Sequence, residues 1–330
     1  VATREAMKDV MRFWLDRGCD GFRVDMAMSL VKYDDEQKTG TCAIWKNVRE
    51  MLDAEYPDAA MVAEWSKPHL SLPAGFDMDF VLNDQGTNYS ALLRDYDQPV
   101  DNTYFRKDAP DRDINRYLDL YMGWYSATRG VGYISMPTCN HDTIRPRYGL
   151  NMDELKLAYA FLFTMPGVPF LYYGDEIGMR YLRLPSKEGG YFRTGSRTPM
   201  QWDGSPNAGF CEDRVRPWLA VNPNYEEINA AACLADPDSV FYYYQKLINL
   251  RHTMPIIVYG SFHPLLEDSD VIWAFERRLG DSVLTVGCNW TCEEQPCDLW
   301  DETPGVRVVG NYPEHKDGVL LPYEAYVTLR

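Results

Sequence analysis

The sequence predicts an α/β fold, a parallel sheet covered by helices, followed by a small antiparallel β-sandwich. Three observations carry this. Stretches with apolar residues at helical spacing alternate with short apolar strand-like runs up to about Thr253. Several of those runs close on a polar residue, the pattern of strands whose C-terminal ends face a site. After Pro255 the character changes to β-rich runs separated by turn residues.

The elements follow in order. Met7, Val10, Met11, Trp14 and Leu15 recur at helical spacing, with Thr3 as an N-cap and Gly18 as the stop. Gly21-Phe22-Arg23-Val24-Asp25 then alternates with the period of a strand, so Arg23 and Asp25 share a face. A second helix carries Ile44, Trp45, Val48, Met51 and Leu52, stops before Pro57, and leads into the strand Ala60-Met61-Val62-Ala63 ahead of Glu64. Further strands are expected at Asp79-Phe80-Val81-Leu82, Gly132-Tyr133-Ile134-Ser135-Met136 and Val168-Pro169-Phe170-Leu171-Tyr172-Tyr173. Between the last two, Leu155, Ala158, Phe161, Leu162 and Met165 mark the clearest helix. Repeated βα units imply parallel pairing under a helical cover. A helix capped near Ser239, with Val240, Tyr243, Tyr244, Leu247 and Ile248 on one stripe and Arg251 in its last turn, closes this part. The predicted domains are therefore 1–253 and 254–330. The second is built on Val271-Ile272-Trp273-Ala274-Phe275, Val283-Leu284-Thr285-Val286 and Tyr326-Val327-Thr328-Leu329. The Pro-, Gly- and aromatic-rich stretch from Leu184 to Asn224 reads as long ordered loops.

Composition narrows the function. With 33 Lys and Arg against 49 Asp and Glu, the net charge of −16 disfavours a nucleic acid partner, which needs clustered cations. No apolar run approaches the roughly 18 residues of a membrane span, so no membrane partner is expected. The eight cysteines form no C-x-x-C pair and lack the close His spacing of a zinc site. Free thiols and a cytoplasmic location are the expectation, with no metal and no cofactor. Cys288, Cys292 and Cys297 lie close in sequence but fit no standard ligand spacing.

Three strand ends stand out: Asp25, Glu64, and Asn140-His141-Asp142 after the strand near Ile134. Each alone is no more than a helix cap or turn former. Together, three carboxylates with an Arg and a His suit chemistry that builds positive charge on a sugar ring. In retaining glycosidic cleavage one carboxylate attacks the anomeric carbon and a protonated partner about 5 Å away donates to the leaving oxygen. Asp25 fits the nucleophile, because Arg23 supplies a fixed positive charge beside it. Glu64, between Val62-Ala63 and Trp65, has the apolar setting of a general acid.

The ordered set Gly21-Phe22-Arg23-Val24-Asp25, Val62-Ala63-Glu64-Trp65 and Asn140-His141-Asp142 resembles the regions at the ends of strands four, five and seven in glycoside hydrolase family 13, the α-amylase family. The resemblance continues through Gly174-Asp175-Glu176, Arg197-Thr198-Pro199-Met200-Gln201-Trp202-Asp203, Pro217 to Pro223, and Asp236 to Val240, and covers nearly the whole chain. These later segments are similar to the oligo-1,6-glucosidase, dextran glucosidase and α-glucosidase branch. The resemblance implies that the chain is strands four to eight of a (β/α)8 barrel plus the C-terminal sandwich. It implies Asp25 as nucleophile, Glu64 as acid/base and Asp142 as the carboxylate that grips sugar hydroxyls. Arg23 and His141 would complete the subsite of the attacked ring, Arg145 would face the leaving sugar, and Asp175 and Glu176 would support structure. Trp65 is expected to line the pocket.

The implied function is retaining hydrolysis of α-glucosidic bonds in small α-gluco-oligosaccharides. A transglycosylase or isomerase of the trehalose or isomaltulose synthase type shares the same carboxylates, and a catalytically silent scaffold related to α-glucosidases is the non-enzyme alternative. Met26 follows the nucleophile where α-1,6-cutting relatives usually carry Val, which leaves the linkage open. The resemblance also implies a missing N-terminal barrel segment, and little activity is expected of residues 1–330 alone.

Overall fold

The computed structural model describes residues 2–81, 89–93, 103–105, 114–185 and 192–330. The chain packs as two units, residues 1–87 with 117–136, and residues 88–116 with 137–330.

In the first unit α1 (Ala2–Leu15) precedes β1 (Gly21–Val24), α2 (Thr39–Glu55) precedes β2 (Ala60–Ala63), and the one-turn α3 (Pro68–Ser71) precedes β3 (Met78–Phe80). Helix α4 (Asn115–Thr128) then leads to β4 (Tyr133–Pro137). Strands β1 to β4 pair in chain order and parallel, as the βα repeats predict. Register puts Arg23 beside Val62 and Val24 beside Ala63, so Asp25 and Glu64 leave neighbouring strands at the same edge. Gly21 is required where β1 meets β2, since a Cβ there would lie 2.1 Å from the Ala60 carbonyl oxygen. Trp45, Leu52, Met61, Ala63, Leu72 and Phe76 form the buried centre of this unit. The Trp45 indole N–H donates to the Ala27 carbonyl at 2.8 Å and ties α2 to the turn after β1. The third strand is shorter than expected from the sequence, and its expected last residue, Leu82, lies outside the described residues.

In the second unit α5 (Met152–Thr164) opens with a capping box, in which Asn151 accepts from the N–H groups of Asp153 and Glu154 while Glu154 accepts from that of Asn151. Helix α5 is apolar almost all round and nearly every residue is buried, so it is a core helix rather than a surface one. Strand β5 (Val168–Phe170) follows, and the Phe170 carbonyl accepts from the Thr138 N–H at 3.2 Å. After α6 (Ala230–Ala235), α7 (Val240–Thr253) and α8 (Pro255–Tyr259) come β6 (Ser261–Leu265), β7 (Ile272–Leu279), β8 (Ser282–Asn289), β9 (Gln295–Pro296), β10 (Val306–Gly310), β11 (Val319–Leu320) and β12 (Ala325–Leu329). Their main sheet is antiparallel in the order β10-β12-β8-β7-β6, with β9 and β11 as a separate pair.

Packing does not divide the chain at Thr253, where the change in composition places a boundary. Guanidinium ties run across this boundary and within the body on either side of it. Arg277 on β7 is 1% exposed and donates to the carbonyls of Thr164, Ile257 and Gly260. Arg251 donates to those of Phe163 and Gly167. Helices α5, α7 and α8 therefore belong to the same packed body as the antiparallel sheet. No helix among the described residues is long and apolar enough to cross a membrane.

Candidate active site

Each unit carries one cluster of the expected residues. In the first, Arg23 and Asp25 point from the end of β1 to the same side, as strand alternation requires, and Glu64 follows β2. Arg23 Nη1 lies 2.5 Å from Asp25 Oδ1, and Nη2 lies 2.5 Å from Glu64 Oε1. One guanidinium thus holds both carboxylates, in the fork geometry that Arg and not Lys supplies. The side chain of Asp25 is 72% exposed and that of Glu64 15%. The Asp25 carboxylate is open to solvent, while that of Glu64 is mostly walled by protein.

Glu64 is fixed from two directions. On the β1 side its N–H donates to the Val24 carbonyl at 3.0 Å, its carbonyl accepts from Ala27 at 3.2 Å, and Oε2 accepts from the Met26 N–H at 3.1 Å. Met26 itself sits in the left-handed region at φ 43°, a strained conformation for a residue with a Cβ, and this bond helps hold it. On the β3 side, Asp79 accepts from the backbone of the three residues that follow Glu64. Burial pushes the Asp79 carboxyl up to about 7, against the donors of Ser71, Ser66, Trp65 and Lys67.

In the second unit the turn after β4 presents Asp142. The Asn140 side chain accepts from the Asp142 N–H at 2.8 Å and the Thr143 hydroxyl accepts from the Asn140 N–H at 2.9 Å, a local Asx-type turn. Asp142 Oδ1 accepts from Arg197 at 2.7 Å and Arg193 at 3.1 Å, and Oδ2 lies 3.2 Å from His141 Nε2. Arg197 Nε also donates to the His141 carbonyl at 2.8 Å. Arg193 and Arg197 were not among the sequence candidates. Arg197 opens the matched segment running to Asp203, which was a signal; nothing in the spacing of Arg193 marks it.

Two expected pocket residues lie inside the fold instead. Arg145 is 0% exposed and donates to the carbonyls of Tyr173 and Ser196, with Asp175 Oδ1 3.6 Å away. Its guanidinium also packs over the rings of Tyr172 and Tyr173. With both terminal nitrogens committed there, it braces the loop after β5 rather than facing a sugar. Trp65 is 3% exposed within the core of the first unit, because the turn held by Asp79 directs its indole inward. Asp175 is buried among Thr138, Cys139 and Arg145, the supporting place expected of it. Burial and neighbouring Asp175 raise the Glu176 carboxyl above the usual range.

Among the described residues no group of three or more His, Cys, Asp or Glu side chains is placed to hold a metal ion. All eight cysteines are free thiols. Burial pushes the thiol of Cys297 up to about 11 and that of Cys288 higher still, which makes both poor nucleophiles.

The model of the alpha amylase catalytic domain matches residues 2–260. An oligo-1,6-glucosidase of Parageobacillus thermoglucosidasius is 31% identical over 98% of this chain and 67% of its own length. A trehalose-6-phosphate hydrolase of Escherichia coli is 29% identical over 89% of this chain and 61% of its own. The crystal structure of a trehalose-6-phosphate hydrolase from Bacillus licheniformis superposes with a TM-score of 0.79 at 25% identity, covering 99% of this chain and 68% of that one.

Proposed function

This chain belongs to the α-amylase family of glycoside hydrolases, and on that footing we propose that the protein hydrolyses α-glucosidic bonds in short gluco-oligosaccharides with retention of configuration. Asp25 is the nucleophile, Glu64 the acid/base and Asp142 the carboxylate that binds sugar hydroxyls, with Arg23 and His141 as further sugar-binding residues. The observation that carries this reading is the Arg23 guanidinium shared by Asp25 and Glu64 at the ends of paired strands. A retaining pair must be close, about 5 Å apart, and one guanidinium holding both side chains supports that spacing.

The reaction follows in two displacements. Asp25 forms a bond to the anomeric carbon as the glycosidic oxygen leaves with the proton of Glu64. Glu64 then takes a proton from water, whose oxygen attacks the same carbon and releases Asp25. The open side chain of Asp25 and the enclosed one of Glu64 suit this division. Asp142, held on one oxygen by two arginines and on the other by His141, keeps a fixed direction for hydroxyl recognition.

The test is turnover by the protein from its native source, with residues 1–330 alone beside it. Maltose, isomaltose, sucrose and trehalose 6-phosphate are supplied separately and products are followed by chromatography. Free glucose from maltose or isomaltose supports the reading. A new disaccharide with little free glucose would replace it by an isomerase, and cleavage of the phosphorylated sugar alone would move the substrate class.

A further inference from the structure

Asp79 on β3 has a carboxylate 0% exposed. Its four donors are all neutral: Trp65 N–H and Ser66 N–H on Oδ1, each at 3.1 Å, and Lys67 N–H at 3.0 Å with the Ser71 hydroxyl at 2.7 Å on Oδ2. No cation among the described residues pairs with it. Burying a carboxyl without an opposite charge is costly, and an apolar side chain would fill a strand-interior position at less expense. Packing therefore does not explain it, and its partners do. Three successive N–H groups, directly after Glu64, converge on this one side chain. Ser66, in the middle, lies in the left-handed region at φ 61°, and its hydroxyl donates to the Phe80 carbonyl at 3.2 Å, a second tie to β3.

We propose that Asp79 is a positioning residue for Glu64. By clamping the turn 65–67 to β3 it fixes the direction in which the chain leaves β2, and so the direction from which the Glu64 carboxyl meets the leaving oxygen. The β1 side supplies the opposing grip through Val24, Met26 and Ala27. With one grip released, Glu64 keeps its partners on β1 but loses its fixed approach. A displacement of about 1 Å is enough to cost 10²-fold in rate. The proposal rests on the hydrolase reading, because it assigns the direction of a proton donor.

Asp79→Asn is the main variant. The amide oxygen can still receive Trp65 and Ser66 and the amide nitrogen can donate to the Ser71 hydroxyl, but that nitrogen is set against the Lys67 N–H, so one backbone tie of the clamp is lost with volume conserved. Ser71→Ala removes a single donor and serves as the milder variant if the first folds poorly. In the native-source protein, kcat/KM is measured for p-nitrophenyl α-glucoside, whose leaving group needs little protonation, and for methyl α-glucoside, whose leaving group needs it fully. A misdirected acid lowers the alkyl substrate at least about tenfold more than the aryl one in Asp79→Asn, with a smaller split in the same sense for Ser71→Ala. Equal loss on both substrates, or no loss, overturns the proposal. If the parent protein cleaves neither of these nor maltose or isomaltose, the hydrolase reading fails by itself and the positioning is read directly from the 13Cδ resonance of Glu64. That resonance shifts in Asp79→Asn while that of the remote Glu50 does not; an unmoved Glu64 resonance overturns the proposal.

Discussion

Arg23 Nη2 lies 2.5 Å from Glu64 Oε1, a contact between the ends of two neighbouring parallel strands rather than within one motif. The same guanidinium reaches Asp25, so removing it disturbs both carboxylates at once. Arg23→Lys is expected to lower kcat/KM on an aryl α-glucoside about 10²-fold or more, because an ammonium is a point donor and cannot span two carboxylates. Steady-state kinetics check this, and a Lys variant with near-normal activity would show the bridge to be incidental.

Separate roles for the two carboxylates give separate signatures. Asp25→Asn is expected to abolish accumulation of a glucosyl-enzyme, read as a mass shift of the intact protein after rapid quenching. Glu64→Gln is expected to spare p-nitrophenyl α-glucoside more than an alkyl glucoside, since only the poorer leaving group depends on the acid. Equal slowing of the two substrates would remove Glu64 from that role.

Arg145 makes a different prediction. Its guanidinium is fully buried beside Asp175 and committed to two carbonyls. Arg145→Met is expected to destabilise the protein by about 3–5 kcal/mol by leaving Asp175 buried without its cation, measured as a lower urea midpoint. A normal midpoint with a raised KM would return Arg145 to the substrate side.

Asp79 also links stability to pH. Burial lifts its carboxyl from 3.8 to about 7, so the unfolded chain releases this proton first as pH rises. Between about pH 4 and 7 the folded state binds more protons than the unfolded one, and this group's contribution to stability falls by up to about 1.4 kcal/mol per pH unit. The contribution is fully present below 3.8 and lost once pH passes about 7. Urea denaturation across this range is expected to show the Asp79→Asn variant gaining on the parent as pH rises; a constant difference between the two would exclude the linkage.

Much of this was legible in the sequence because it is local. Strands β1 and β2, the shared face of Arg23 and Asp25, and the position of Glu64 at a strand end all follow from the period of two and from short apolar runs. The antiparallel character after Ser261 follows from the β-branched and aromatic runs. What escaped depends on contacts distant in sequence. Arg193 and Arg197 reach Asp142 across more than fifty positions. The burial of Arg145 is set by the loop after β5, and the inward turn of Trp65 by Asp79 on the next strand. Arg251 and Arg277, whose guanidinium groups reach distant carbonyls within the second unit, are likewise side chains that composition does not single out.

The most direct test of retaining hydrolysis is the configuration of the first glucose released from p-nitrophenyl α-glucoside by the native-source protein, followed by proton NMR before mutarotation. Attack by Asp25 followed by attack of water on the same carbon predicts that α-glucose appears first. β-Glucose appearing first would contradict Asp25 as a nucleophile paired with Glu64, and no glucose at all would contradict hydrolysis.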